Sequence, residues 1–225
     1  MGLPLSIVVF LFVGMSCVAE PAKSTAHQPI TVEFAVSESA NVMDLAGPWE
    51  VFQDAHDWKG FRLVIVSDKK GPVHMTGGMT LEAQYSYDDA PPADIISVGA
   101  QNGSLALRRW LTERYASGTE IMSVCTGAFQ FAAAGLLTGK QATTHHDFYD
   151  ELRAKFPSIK VVPGDRYVQS GPKLYTAGGL TSGIDLALHV VAVYCGEKDA
   201  AQTADRLEYT GTRWRSPKGT SPVSD

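Results

Sequence analysis

Cysteine is scarce here, with 3 residues in a chain of 225. That excludes the class of small domains in which disulfide bridges stand in for an insufficient core. Positive charge is scarce too. The 19 Lys and Arg stand against 24 Asp and Glu, a net charge of −5. This argues against the basic face that a nucleic-acid binder presents to phosphates. The 12 Pro and 21 Gly are too few for a collagen-like or low-complexity chain. Charged residues, at 19%, fall short of the charge-rich disordered class. What remains is a chain with 44% hydrophobic residues, ordinary for one soluble domain with a core of its own.

Charge is missing altogether from the first 19 positions. Leu3 to Ala19 is almost wholly apolar, with Ile7 to Val13 the densest run, and the polar Glu20-Pro21-Ala22-Lys23 follows at once. The pattern predicts a secretory signal over 1–19, cleaved near Ala19, and a flexible leader over 20–30. The protein is then exported, periplasmic or secreted, with no stable membrane contact once the signal is removed. The run is short of the roughly 20 apolar residues a membrane span needs. No Lys or Arg precedes it, so an uncleaved anchor, or a lipid attached at Cys17, stays open. After cleavage Cys125 and Cys195 remain, and an oxidising compartment would permit them to pair.

Over 31–215 the hydrophobic pattern alternates between periods of about 2 and about 3.6 residues, which marks strands and helices in turn. Strands are predicted over 31–36, 61–67, 94–99, 121–124, 142–144, 159–162, 167–169 and 174–177. Gly47-Pro48 predicts a short helix through Trp49, Val51 and Phe52, with Pro in the first turn, where its missing N–H costs nothing. Further helices are predicted over 105–116, 126–137, 146–156, 181–194 and 197–207, and a hairpin-like excursion over 69–89. The polar tail, 216–225, reads as disordered. Strands alternating with helices predict a doubly wound α/β sheet, whose sites gather where strands end and helices begin.

One such junction carries chemistry. Ser123-Val124-Cys125-Thr126-Gly127-Ala128 takes a β-rich run into a cysteine, then into small residues and a helix. This is the layout of a nucleophile elbow, whose close strand-to-helix approach needs residues such as Gly127 and Ala128. A helix N-terminus at Cys125 would favour the thiolate and lower its pKa. A buried structural cysteine fits the same spacing. A second junction, Thr176-Ala177-Gly178-Gly179-Leu180-Thr181-Ser182-Gly183-Ile184-Asp185, would supply another wall of the same crevice. His145-His146-Asp147 has metal-ligand residue types, but neighbours on a strand point to opposite faces, and no metal is expected there.

Several stretches together resemble the ThiJ/PfpI family of class I glutamine amidotransferase-like domains. They are Met43-Asp44-Leu45-Ala46-Gly47-Pro48-Trp49-Glu50, Ser123 to Ala128, Gly135 to His145, and Thr176 to Asp185, and the likeness spans about 31–210. Within the family the Asp-Leu-x-Gly-Pro and Cys-Thr-Gly forms are most similar to isonitrile hydratases and to the sensor domains of AraC-type regulators. The resemblance implies a flavodoxin-like, mostly parallel sheet with helices on both faces, and a homodimer. It implies Cys125 as the nucleophile, Asp44 as the acid beside it, and Thr126 as its polar neighbour. His145 corresponds to a histidine found in many members. Gly99 and Ala100 stand where the family has a glycine pair facing the site, and Gly178 and Gly179 line the far wall. The family's Pro-Gly-Gly is Val98-Gly99-Ala100 here, which leaves substrate choice open.

On this reading a small-molecule substrate binds and no cofactor is required. The thiol adds to the isonitrile carbon, and water converts the thioimidate to an N-substituted formamide. Asp44 exchanges protons, with a pKa raised by burial. The other reading of Asp44 is a helix N-cap. Three alternatives stay open: a non-catalytic sensor module, a redox-stress protein oxidised at Cys125, and a glyoxalase-like activity.

Overall fold

The computed structural model describes residues 29–215. The segment read as a signal, most of the leader read over 20–30, and the tail 216–225 lie outside the described residues. Among the described residues no helix is long and apolar enough to cross a membrane. In chain order the first half is β1 (Ile30–Ala35), α1 (Val42–Asp54), β2 (Phe61–Ser67), β3 (Gly71–His74), β4 (Thr80–Ala83), β5 (Tyr85–Ser86) and β6 (Ile95–Val98). Then come α2 (Leu105–Ala116), β7 (Glu120–Ser123), α3 (Ala128–Ala133), β8 (Gln141–Ala142), α4 (Tyr149–Lys155) and β9 (Lys160–Val161). The last elements are β10 (Tyr167–Gly171), β11 (Leu174–Ala177), α5 (Ser182–Cys195) and α6 (Glu197–Arg206).

Seven strands form one sheet in the order β10-β11-β7-β6-β1-β2-β5. Only the β10–β11 pair is antiparallel. The doubly wound, mostly parallel α/β sheet is therefore what the chain forms. The excursion over 69–89 contains the separate hairpin β3–β4. From β1 the chain crosses to β2 on one side and later to β6 on the other. The sheet's switch point thus lies between β1 and β6, where open sheets of this kind place their ligands.

Alternation along β1 sorts the core into two layers. Val32 and Phe34 face α1, α5 and α6, with Ile95, Met122 and Val124 beside them. Ala35 faces the other way, toward α2 and α3, among Val64, Val66, Ile96, Val98 and Ile121. Trp110 is buried in that second layer, while Trp49 is only partly buried and packs on Phe34, ring centroids 5.1 Å apart. Glu33 shares the face of Ala35. It is fully buried and neither carboxyl oxygen has a hydrogen-bond partner among the described residues. Burial pushes its pKa up to about 7, against a weaker pull from Arg114.

Three local expectations are corrected. The first helix starts at Val42 rather than Gly47, because Asn41 caps it. Asn41 Oδ1 accepts from Met43 N at 2.9 Å and Asp44 N at 3.4 Å. Asp44 is therefore not the cap, and Pro48 lies inside the helix, where it leaves the Asp44 carbonyl without its i+4 donor. The helix predicted over 126–137 is a tight turn over 125–127 followed by α3, which ends at Ala133, and Gly135 then turns at φ +78°. The helix predicted over 146–156 likewise opens with a tight turn over 146–148 before α4.

Candidate active site

Four neighbouring strands, β1, β6, β7 and β11, deliver the site from their C-terminal ends. After β1 the chain enters α1, whose first turn carries Asp44. After β6 come Gly99 and Ala100, after β7 comes Cys125, and after β11 come Gly178, Gly179 and Leu180. The order of the sheet, not of the chain, makes these turns adjacent.

Cys125 sits at φ +59°, a left-handed conformation that costs a residue with a Cβ about 1–2 kcal/mol. Its surroundings hold it there. Its N–H donates to Gly178 O at 2.8 Å, and its carbonyl accepts from Thr144 Oγ1 at 2.8 Å. A Cβ on Gly127 would stand 2.2 Å from Val98 O, so only glycine permits the strand and turn to approach this closely. The nucleophile elbow predicted from Cys125, Thr126 and Gly127 is thus present in the backbone.

The thiol itself differs from expectation. Burial, and then the charge of Asp44, push its pKa up to about 11, and the Thr126 and Leu180 N–H groups pull only partly back. The helix that follows is a tight turn and a single α segment of 6 residues. Its dipole is too small and too displaced to outweigh desolvation. Cys125 is a neutral thiol at neutral pH.

Asp44 is fully buried, and burial raises its pKa above the usual carboxylate value. The Ala100 N–H donates to its Oδ2 at 2.9 Å, while the carboxyl also faces the Cys125 thiol and the Leu180 N–H. Oδ1 is buried and has no hydrogen-bond partner of ordinary length among the described residues. With Oδ2 committed to Ala100, Oδ1 is the oxygen left free to exchange a proton with a substrate or the thiol. Gly99 makes room for this group, since a Cβ there would lie 2.7 Å from Asp44 Cβ. Of the expected Gly99–Ala100 pair, Ala100 supplies the N–H that Asp44 accepts and Gly99 the space.

Gly178 and Gly179 do line the far wall. Gly178 holds the Cys125 backbone, and Gly179 packs against His145, whose Cδ2 would lie 2.1 Å from an added Cβ. His145 is close enough to pull the Asp44 carboxyl down. Its Nδ1, however, accepts from Asp147 N at 3.3 Å and is engaged in the tight turn. Among the described residues no hydrogen bond joins His145 to the Cys125 thiol. Nor do His145 and His146 point to opposite faces. They leave the strand at the cap of a tight turn, and their rings stack 4.3 Å apart at 25°.

Sequence reading missed Leu180 and Thr144. Leu180 stands at φ +51° and aims its N–H at both Cys125 and Asp44. The glycines before it mark a turn, but a leucine carries no residue-type signal for a left-handed conformation. Cys125 and Cys195 are both free. They lie near opposite ends of α5, whose 14 residues span about 20 Å. A bridge between them is excluded in this fold.

A buried thiol at an elbow, a carboxyl of raised pKa against it and two peptide N–H groups beside it can add a nucleophile and a proton to a small unsaturated substrate. The comparisons agree with the architecture. The family model described as DJ-1/PfpI matches residues 30–193. An isonitrile hydratase of Pseudomonas putida is 33% identical over 187 residues, covering 80% of this chain and 78% of that one. The HTH-type transcriptional regulator CdhR of Pseudomonas aeruginosa is 29% identical over 152 residues, 65% of this chain but only 45% of the regulator. The crystal structure of a ThiJ/PfpI family protein from Pseudomonas syringae superposes with a TM-score of 0.72 at 25% identity, covering 88% and 85% of the two chains.

Proposed function

The chain belongs to the DJ-1/PfpI family, and from that premise we propose that it hydrates an isonitrile to an N-substituted formamide. The observation that carries this reading is the buried Asp44 carboxyl, which holds its proton more tightly than an ordinary carboxyl, lying against the un-ionised Cys125 thiol. The carbon of an isonitrile bears a lone pair and takes a proton before it takes a nucleophile. A buried carboxyl that takes up a proton more readily than usual, beside an un-ionised thiol, suits that order.

Asp44 gives its proton to the terminal carbon, which becomes a nitrilium. Cys125 Sγ bonds to the same carbon, and the thiol proton passes to the Asp44 carboxylate. The product is a thioimidate, with the proton that Asp44 gave up restored. Water adds across the C=N bond, the C–S bond breaks, and the proton returns to sulfur, leaving the formamide and a free thiol. The Thr126 and Leu180 N–H groups face the sulfur, where they stabilise the charge that develops as the C–S bond breaks. A well-placed proton donor contributes typically 10²–10⁴-fold, which sets the scale for Asp44. The relative at 33% identity supports this substrate class.

Export and pairing into a homodimer belong to the same reading. The mass of protein recovered from the periplasm tests the first, with Glu20 as the expected N-terminus, and sedimentation tests the second.

The deciding experiment measures formamide formed from a simple alkyl isonitrile by the native protein, Cys125→Ala and Asp44→Asn. Turnover in the native protein, lost with the cysteine and reduced with the carboxyl, supports hydration. Turnover that survives Cys125→Ala, or none in the native protein, overturns it.

A further inference from the structure

We propose that His145, His146 and Asp147 form a binding site for one divalent transition-metal ion at the rim of the Cys125 crevice. The inference is independent of the hydratase reading. One ligand atom from each residue lies within 4.8 Å of the others. His146 Nε2 is 3.1 Å from Asp147 Oδ1, and His145 Nδ1 is 3.6 Å from Asp147 Oδ2. A tetrahedral ion with bonds of about 2.0–2.1 Å separates its ligands by about 3.3 Å. Each imidazole therefore stands near that spacing from one oxygen of the Asp147 carboxylate.

The local fold produces this arrangement. His145 caps the tight turn over 146–148 through Nδ1, which accepts from Asp147 N at 3.3 Å. That bond is long, and the same nitrogen lies 3.6 Å from Asp147 Oδ2, so an ion seated between them takes the place of the backbone N–H. The stacking of the two rings brings His146 Nε2 to the same carboxylate. Neutral imidazole nitrogen and carboxylate oxygen together suit zinc, nickel or copper, not calcium or magnesium, which prefer oxygen alone. His146 and Asp147 are exposed, with side chains 74% and 67% accessible. Ion entry is open, and water completes the coordination.

His145 joins this site to the other one. One edge of its ring packs on Gly179 at the crevice wall, and the other, Nδ1, faces Asp147. An ion on Nδ1 fixes the ring proton on Nε2 and adds positive charge near Asp44.

The test is a zinc titration of the tag-free native protein in competition with a chromophoric chelator. It is repeated on His146→Asn, Asp147→Asn, the double variant and Cys125→Ala, with thermal melts of each. The expected result is one zinc per chain. Affinity falls more than about tenfold in each rim variant, beyond the smallest effects seen for outer-shell partners. Melting temperatures stay unchanged and binding persists in Cys125→Ala. Zinc held by Cys125→Ala less tightly than by His146→Asn would make the thiol the ligand and overturn the site. A native protein that retains no more zinc than the double variant would overturn it equally.

Discussion

The Asp44 carboxyl lies against the Cys125 thiol, and its charge is the largest influence after burial in pushing that thiol up to about 11. Replacing Asp44 by Asn removes the charge and leaves the burial. The thiol pKa should then drop below about 11 while remaining above its ordinary value. Thiolate absorbance followed against pH in native protein and Asp44→Asn measures this. An unmoved midpoint would mean that Asp44 does not act on the sulfur.

A neutral thiol is also slow to oxidise. Peroxide attacks the thiolate, so the oxidation rate at Cys125 should climb about tenfold per pH unit from neutrality toward pH 11. Mass spectra of peroxide-treated protein at several pH values report it. Fast oxidation that is already level at pH 7 would favour the redox-stress reading over hydration.

The elbow backbone makes opposite predictions at two positions on either side of Thr126. Gly127→Ala drives a Cβ to 2.2 Å from Val98 O, and a forced shift of that kind costs typically 1–3 kcal/mol. Cys125→Gly relieves the left-handed strain at φ +59°, so it should melt above Cys125→Ala by the equivalent of about 1 kcal/mol. Equal melting of the two Cys125 variants would show that the position is unstrained.

Glu33 predicts a pH dependence of stability. Its folded pKa of about 7 exceeds the ordinary 4.5, so between those values the folded state binds more protons than the unfolded state. Its contribution is fully present below about pH 4.5, declines as the pH rises to about 7, and is flat above. Glu120, also pushed up to about 7 by burial, acts in the same direction. Glu33→Gln should therefore raise the melting temperature at pH 8, by about 2–4 °C for each kcal/mol recovered, and change it little at pH 4.5. An equal shift at both pH values would assign the effect to packing.

The sheet was legible in the sequence because its strands are short β-rich runs separated by helical periodicity. The elbow was legible because Cys125-Thr126-Gly127 places the one residue type that permits contact with Val98 O. The start of α1 was misread because Pro48 is a strong signal for a first turn, and Asn41, which does the capping, sits among other polar residues. The acidity of Cys125 was misread because a helix N-terminus is visible in a sequence, whereas burial beside Asp44 exists only once β1, β6 and β7 are in register. The pairing of His145 with Asp147 was hidden for a similar reason. It depends on a tight turn where periodicity suggested the first turn of a helix.

That Asp44 arrives on α1 while Cys125 arrives on the β7 turn has a bearing on folding. An intermediate with β6 and β7 paired but α1 undocked would hold the elbow without its carboxyl neighbour and with more water at the sulfur. Its thiol would titrate nearer to an ordinary cysteine. Reactivity at Cys125 is therefore a clock for α1 docking. A thiol reagent pulsed during refolding at mildly alkaline pH would label chains still open, and protection would appear as the first helix seats against the sheet.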